Sequence, residues 1–107
     1  MVQIIVASHG PLSVSIVKSA SLITGSSGVA DIKTISITME TSVEEARKAV
    51  ETVLGSFDEN DEILALTDIY GGSITRVITE YIGLRKIDVI TVVNLGILLE
   101  AILMKDT

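Results

Sequence analysis

Four times along this chain a short run rich in β-branched residues gives way to a segment with helical spacing. That alternation constrains the fold more than any other feature. Residues 2–8 (VQIIVAS) read as a buried strand, and 32–39, 63–67 and 87–93 read as three more. Between them, Ile16, Val17, Ala20 and Ile23 fall on one helical face, with Pro11 suited to the first turn and Gly25 to the end. Val43, Ala46, Val50 and Val53 or Leu54 make a second stripe, which Gly55 stops; Thr41 or Ser42 caps it, and Ser42 with Glu45 spells a capping box. Ser73 is read as the N-cap of a third helix running to about Ile82, and a fourth spans about 97–105 after an Asn94-Leu95-Gly96 exit. The acidic stretch 58–62 reads as a solvated turn.

Strands separated by helices require crossover connections, which are right-handed and make a parallel sheet. The expected fold is therefore a single doubly wound α/β domain over 1–107, with four parallel strands and helices on both faces; the order 2-1-3-4 is the flavodoxin-like choice for such a sheet. That order puts a topological switch between the first and third strands, and chemistry is expected at their carboxyl ends. The composition agrees. Of 107 residues 48% are hydrophobic, but only Phe57, Tyr70 and Tyr81 are aromatic, so the core must be aliphatic, as in buried parallel strands. There is no cysteine, which excludes disulfides and thiolate chemistry. A net charge of −6 with scattered basic residues argues against nucleic-acid binding. The N-terminus shows no signal-peptide pattern, and no apolar run approaches the roughly 20 residues that span a bilayer. A cytoplasmic location is expected.

Two residues stand at the expected switch. His9, the only histidine, ends the first strand. A lone histidine often does no more than cap a strand, but this one lies where open α/β sheets place their sites. Asp68 ends the third strand. Its carboxylate, bonded to one imidazole nitrogen, would fix the tautomer and leave the other nitrogen's lone pair as a nucleophile. Gly71, Gly72 and Ser73 follow, either as an ordinary turn or as a place where backbone approaches an anion closely and helix amides point at it. Arg76 reads as a surface residue, with added charge at that anion site as the alternative. No nucleotide-binding glycine motif is present, and one histidine with scattered carboxylates makes no metal site. No cofactor is expected.

Ser8-His9-Gly10, the run from Asp68 to Ser73, and Asn94-Leu95 followed by Leu98-Leu99-Glu100 together resemble the mannose-type enzyme IIA family of the phosphoenolpyruvate-dependent sugar phosphotransferase system. The similarity covers essentially the whole chain in matching order. It implies a homodimeric phosphocarrier that takes phosphate on His9 from the histidine-containing phosphocarrier protein. The phosphate then passes to enzyme IIB, which serves a membrane permease. Asp68 would orient His9, and Gly71, Gly72 and Ser73 would hold the phosphoryl group. The sequence departs from the family's usual pattern at Ile74-Thr75-Arg76 and at Gly96-Ile97, and it stops at Thr107, before the further strand that family domains usually carry. Two related readings are a phosphorylation-sensing domain of a transcriptional regulator and the phosphocarrier subunit of dihydroxyacetone kinase. The latter typically has one glycine before the serine, where this chain has two.

Overall fold

The structure, a computed structural model, describes residues 1–69 and 72–105. Its strands are β1 (Val2–His9), β2 (Lys33–Ile37), β3 (Glu62–Thr67) and β4 (Ile87–Ile90); its helices are α1 (Leu12–Thr24), α2 (Val43–Gly55), α3 (Ser73–Thr79) and α4 (Leu95–Met104). Every pairing is parallel, as the alternation of elements predicts, and the order is β2-β1-β3-β4, the flavodoxin-like order expected.

β1 lies inside the sheet, and Ile4, Ile5, Val6 and Ala7 are all buried. A strand covered on both faces reads as a continuous apolar run, which is what 2–8 shows. Successive side chains point to opposite faces. Ile5 and Ala7 join Ile35 and Ile37 of β2 with Ala46, Val50 and Leu54 of α2 and Ile74, Val77 and Ile78 of α3. Ile4 and Val6 face the other way, onto Ile16 and Ala20 of α1 and Leu98 and Ile102 of α4. The domain is doubly wound, with α2 and α3 on one face and α1 and α4 on the other.

Several boundaries differ from those expected, each for a local reason. Pro11 is the N-cap of α1 and not its first helical residue. Ile23, assigned to the buried stripe, is 64% exposed, because it borders an open groove between the end of α1, a 3-10 turn at Ser26–Val29 and α4. β2 stops at Ile37, where Thr41 folds back: its N–H donates to the Thr38 carbonyl at 3.1 Å and its hydroxyl accepts from Thr38 N–H at 2.9 Å. That leaves Ser42 as the cap of α2, and the capping box with Glu45 is complete. Val43 is exposed because it opens the helix at the rim, before α2 reaches the sheet. α3 ends at Thr79 and not near Ile82; the chain tightens into three-residue bonds such as Ile82 N–H to the Thr79 carbonyl, and Gly83 then turns it at φ +92°. β4 ends at Ile90, ahead of Val92 at φ +56°. α4 begins earlier than expected, at Leu95, because the Asn94 side chain accepts from Ile97 N–H at 2.9 Å and draws Gly96 into the first turn. Among the described residues, no helix is long and apolar enough to cross a membrane.

Candidate functional site

β1 and β3 are neighbours, with Ala7 opposite Thr67, so the residues that follow leave the sheet side by side. Alternation places His9 on the same face as Ile5 and Ala7, toward α2 and α3, and Ser8 on the opposite face toward α1. Ser8 is fully buried. Its hydroxyl accepts from Ser13 N–H at 2.7 Å and donates to the Gly10 carbonyl at 3.2 Å. Ser13, also buried, donates to the Ile35 carbonyl at 3.2 Å and lies 2.9 Å from the Ser36 hydroxyl. Gly10, at φ +64°, donates its N–H to the Ile37 carbonyl at 2.7 Å. A residue with a side chain would be strained at that angle. This web holds the turn on which His9 stands.

Asp68 meets His9 twice. One carboxylate oxygen, Oδ2, accepts from the His9 main-chain N–H at 2.8 Å and lies 3.0 Å from its Nδ1. The other, Oδ1, accepts from Ile69 N–H at 2.9 Å. A carboxylate can only accept, so the contact assigns the ring proton to Nδ1 and leaves the Nε2 lone pair unused. The imidazole is 46% exposed and the carboxylate 8%. Burial pushes the Asp68 carboxyl upward, but the hydrogen bonds from His9 N–H and its ring and the attraction of the imidazole together outweigh it. They hold the group below the usual carboxylate range.

Gly72 closes the ring's other flank. A Cβ at this position would lie 3.1 Å from His9 Cε1, so a side chain here would force the imidazole to shift. The turn from β3 into α3 is pinned by Gly72 N–H and the Thr75 hydroxyl, which both donate to the Ile69 carbonyl, at 3.3 and 2.9 Å. The N-cap of α3 is Gly72, one residue before the expected Ser73, and Ser73 makes no side-chain cap bond. Gly71 lies outside the described residues. The structure thus brings His9, Asp68 and Gly72 together, with Ser73 next in line at the start of α3. Ser8, Ser13 and Thr75 were not anticipated; the signal was present only as small polar residues in otherwise apolar surroundings. Among the described residues, no cluster of three or more His, Cys, Asp or Glu side chains is placed to hold a metal ion.

At the switch point of the doubly wound sheet, the structure thus sets a histidine against an orienting carboxylate. The sequence matches EIIA-man, the PTS system fructose IIA component, over residues 3–107, and the chain belongs to this family. Among solved structures it is similar to the phosphotransferase system component EIIA from Streptococcus agalactiae: 30% identity, a TM-score of 0.89, and coverage of 100% of this chain and 81% of that one. It also resembles the mannose/sorbose specific IIA subunit of the phosphotransferase system from Enterococcus faecalis, with 25% identity, a TM-score of 0.87, and coverage of 95% and 76%. A sigma-54 interaction domain protein from Enterococcus faecalis is similar at 29% identity, with a TM-score of 0.71 and coverage of 98% and 78%. A search of curated proteins finds no significant match. The chain is a IIA component of the sugar phosphotransferase type.

Proposed function

We propose that His9 accepts a phosphoryl group from the histidine-containing phosphocarrier protein on Nε2 and passes it to enzyme IIB, serving a membrane permease at one remove. The observation that carries this reading is the pair of hydrogen bonds that Asp68 Oδ2 accepts from His9, at 2.8 Å from the main-chain N–H and 3.0 Å from Nδ1. The Nε2 lone pair attacks phosphorus and forms the new N–P bond. The old N–P bond breaks, and its electron pair returns to the donor's nitrogen. Transfer onward reverses these roles, with no net change in the carrier. The arriving group brings nearly two negative charges beside Asp68. Gly72 and Ser73 offer it the start of α3, where the first N–H groups have no intrahelical acceptor, and Gly71, before them in sequence, is assigned to the same cradle. We place the domain in the cytoplasm, where both partners would reach it, and read it as a homodimer, since the short β4 leaves an open edge where Ile90 is exposed.

A second reading is a phosphorylation-sensing domain of a transcriptional regulator, favoured by the similarity to the sigma-54 interaction domain protein. It uses the same site. The test for both is incubation with phosphoenolpyruvate, enzyme I and the phosphocarrier protein, which should add one acid-labile phosphate that His9→Ala abolishes. Onward transfer to enzyme IIB separates the carrier from the sensor. Undiminished labelling of His9→Ala would end both readings.

A further inference from the structure

We propose that Arg76 is a phosphoryl-contacting residue of this site, its guanidinium engaging the group carried on His9. The inference rests on the reading of His9 as the phosphoryl acceptor and assigns a role to a residue outside the histidine and carboxylate pair.

Arg76 lacks the partner that its helix offers it. Glu80 lies four residues on, at the spacing where opposite charges pair along a helix. Both Glu80 oxygens are taken by Arg47 from α2: Oε1 accepts from Nε at 3.2 Å and from Nη2 at 3.1 Å, and Oε2 accepts from Nη2 at 2.9 Å. Arg47 also holds Glu44 at 3.0 Å. Arg47 is thereby neutralised, whereas Arg76 makes no ion pair among the described residues and is exposed.

Its position puts that unpaired cation within one helical turn of the glycine beside His9. Arg76 and Ser73 line one groove of about 300 Å³ between α2 and α3, together with Val43, Arg47, Val77 and Glu80. His9 projects to this same face of the sheet, and Gly72, the residue before Ser73, touches its ring. Arg76 N–H donates to the Gly72 carbonyl at 3.0 Å, so Arg76 sits one turn beyond the glycine. Helical side chains lean toward the N-terminus and over the preceding turn, a direction that takes an extended arginine toward Gly72 and Ser73. A planar fork of N–H donors matches the oxygens of a phosphoryl group better than an ammonium does. The phosphoryl group needs such a partner, because the charge already facing His9 is the Asp68 carboxylate. Arg76 forms and breaks no covalent bond; it offsets the repulsion while the group is carried.

The test compares the full chain with Arg76→Gln and Arg76→Lys after phosphorylation by phosphoenolpyruvate, enzyme I and the phosphocarrier protein. Phosphorus NMR over pH should show the second phosphoryl ionisation rising by about half a unit or more in Arg76→Gln. The transfer equilibrium should move about five- to tenfold toward the donor in that variant. Arg76→Lys should retain much of the charge effect. The thermal midpoint of the unphosphorylated protein should stay the same, since among the described residues the Arg76 side chain makes no hydrogen bond or ion pair. If the wild type takes up no acid-labile phosphate, the reading of His9 fails and this inference with it. If the wild type labels normally and Arg76→Gln has the same phosphoryl titration and the same equilibrium, His9 stands and the role of Arg76 is overturned.

Discussion

The turn after β1 and the turn after β4 leave the same edge of the same sheet, yet they are built on opposite terms. After β1, residue type and geometry agree: the left-handed position is Gly10, and the buried Ser8 and Ser13 hydroxyls are bonded to the backbone. After β4 the left-handed position is Val92, a β-branched residue at φ +56°, exposed to solvent and held by the neighbouring bond from Val93 N–H to the Thr67 carbonyl at 2.8 Å. Left-handed backbone costs a β-branched residue about 1 to 3 kcal/mol and is often a mark of function. Here the strain lies away from His9, and the turn that carries His9 is the unstrained one. Positional accuracy at the nucleophile comes from local consistency plus a satisfied polar web.

The largest test of that contrast is Asp68→Ala. Losing the acceptor for Nδ1 frees the ring to turn and to take the other tautomer. Phosphorylation of His9 should slow by roughly ten- to a thousandfold, as expected if orientation lowers the barrier by about 1.4 to 4 kcal/mol. Rapid-quench labelling checks it, and unchanged kinetics would remove the aspartate from the mechanism. The same carboxylate has a pH signature. Because its folded pKa lies below the unfolded value, its contribution to stability is present above about pH 4 and is lost as pH falls through the folded pKa. In Asp68→Asn that part of the acid destabilisation should be missing from denaturant midpoints measured below pH 4.

Ser8→Ala comes next in size. It strands the Ser13 N–H in a buried position and should lower stability by about 1 to 3 kcal/mol in urea unfolding. Phosphorylation should slow as well, because the turn under His9 loses its anchor. A variant with wild-type stability would show that the web is dispensable. The smallest effect is expected at the other turn. Val92→Gly relieves the left-handed strain at some entropic cost and should raise stability by up to about 1 kcal/mol, with phosphorylation rates unaltered. A slower reaction there would break the contrast between the two turns.

The same contrast explains what could be read in the sequence. The fold was legible because it is written in periodicity: the buried run of β1, the stripe of α2 with its capping box and the alternation of elements all lead to a parallel doubly wound sheet, while the order β2-β1-β3-β4 rests on analogy with flavodoxin-like sheets. The positions of His9 and Asp68 followed from strand ends and the switch-point rule, and their closeness is a consequence of β1 and β3 being neighbours. Features set by contacts between distant residues were not legible. Nothing in a valine announces that it ends β4 in a left-handed turn, and Gly96 suggests a loop until Asn94 is seen to cap α4 around it. Likewise, Ser73 is the better capping residue by type, yet Gly72 takes the cap, at a position where a side chain would push the imidazole aside. Arg76 reads as ordinary surface from the sequence, and only the tertiary bond from Arg47 to Glu80 shows that its helical neighbour is already taken.

The bond from the His9 main-chain N–H to Asp68 Oδ2 also bears on how much the protein must rearrange during turnover. That oxygen has an anchor independent of the imidazole, and its partner oxygen is held by Ile69 N–H. Both oxygens thus have main-chain anchors that do not depend on where the ring points. In the carrier role proposed for His9, each cycle would then move the phosphoryl group and little else, so the scaffold's reorganisation energy would be small and forward and reverse transfers would meet the same preset frame. An orienting group fastened to the backbone would give such a carrier a structural basis for working in both directions.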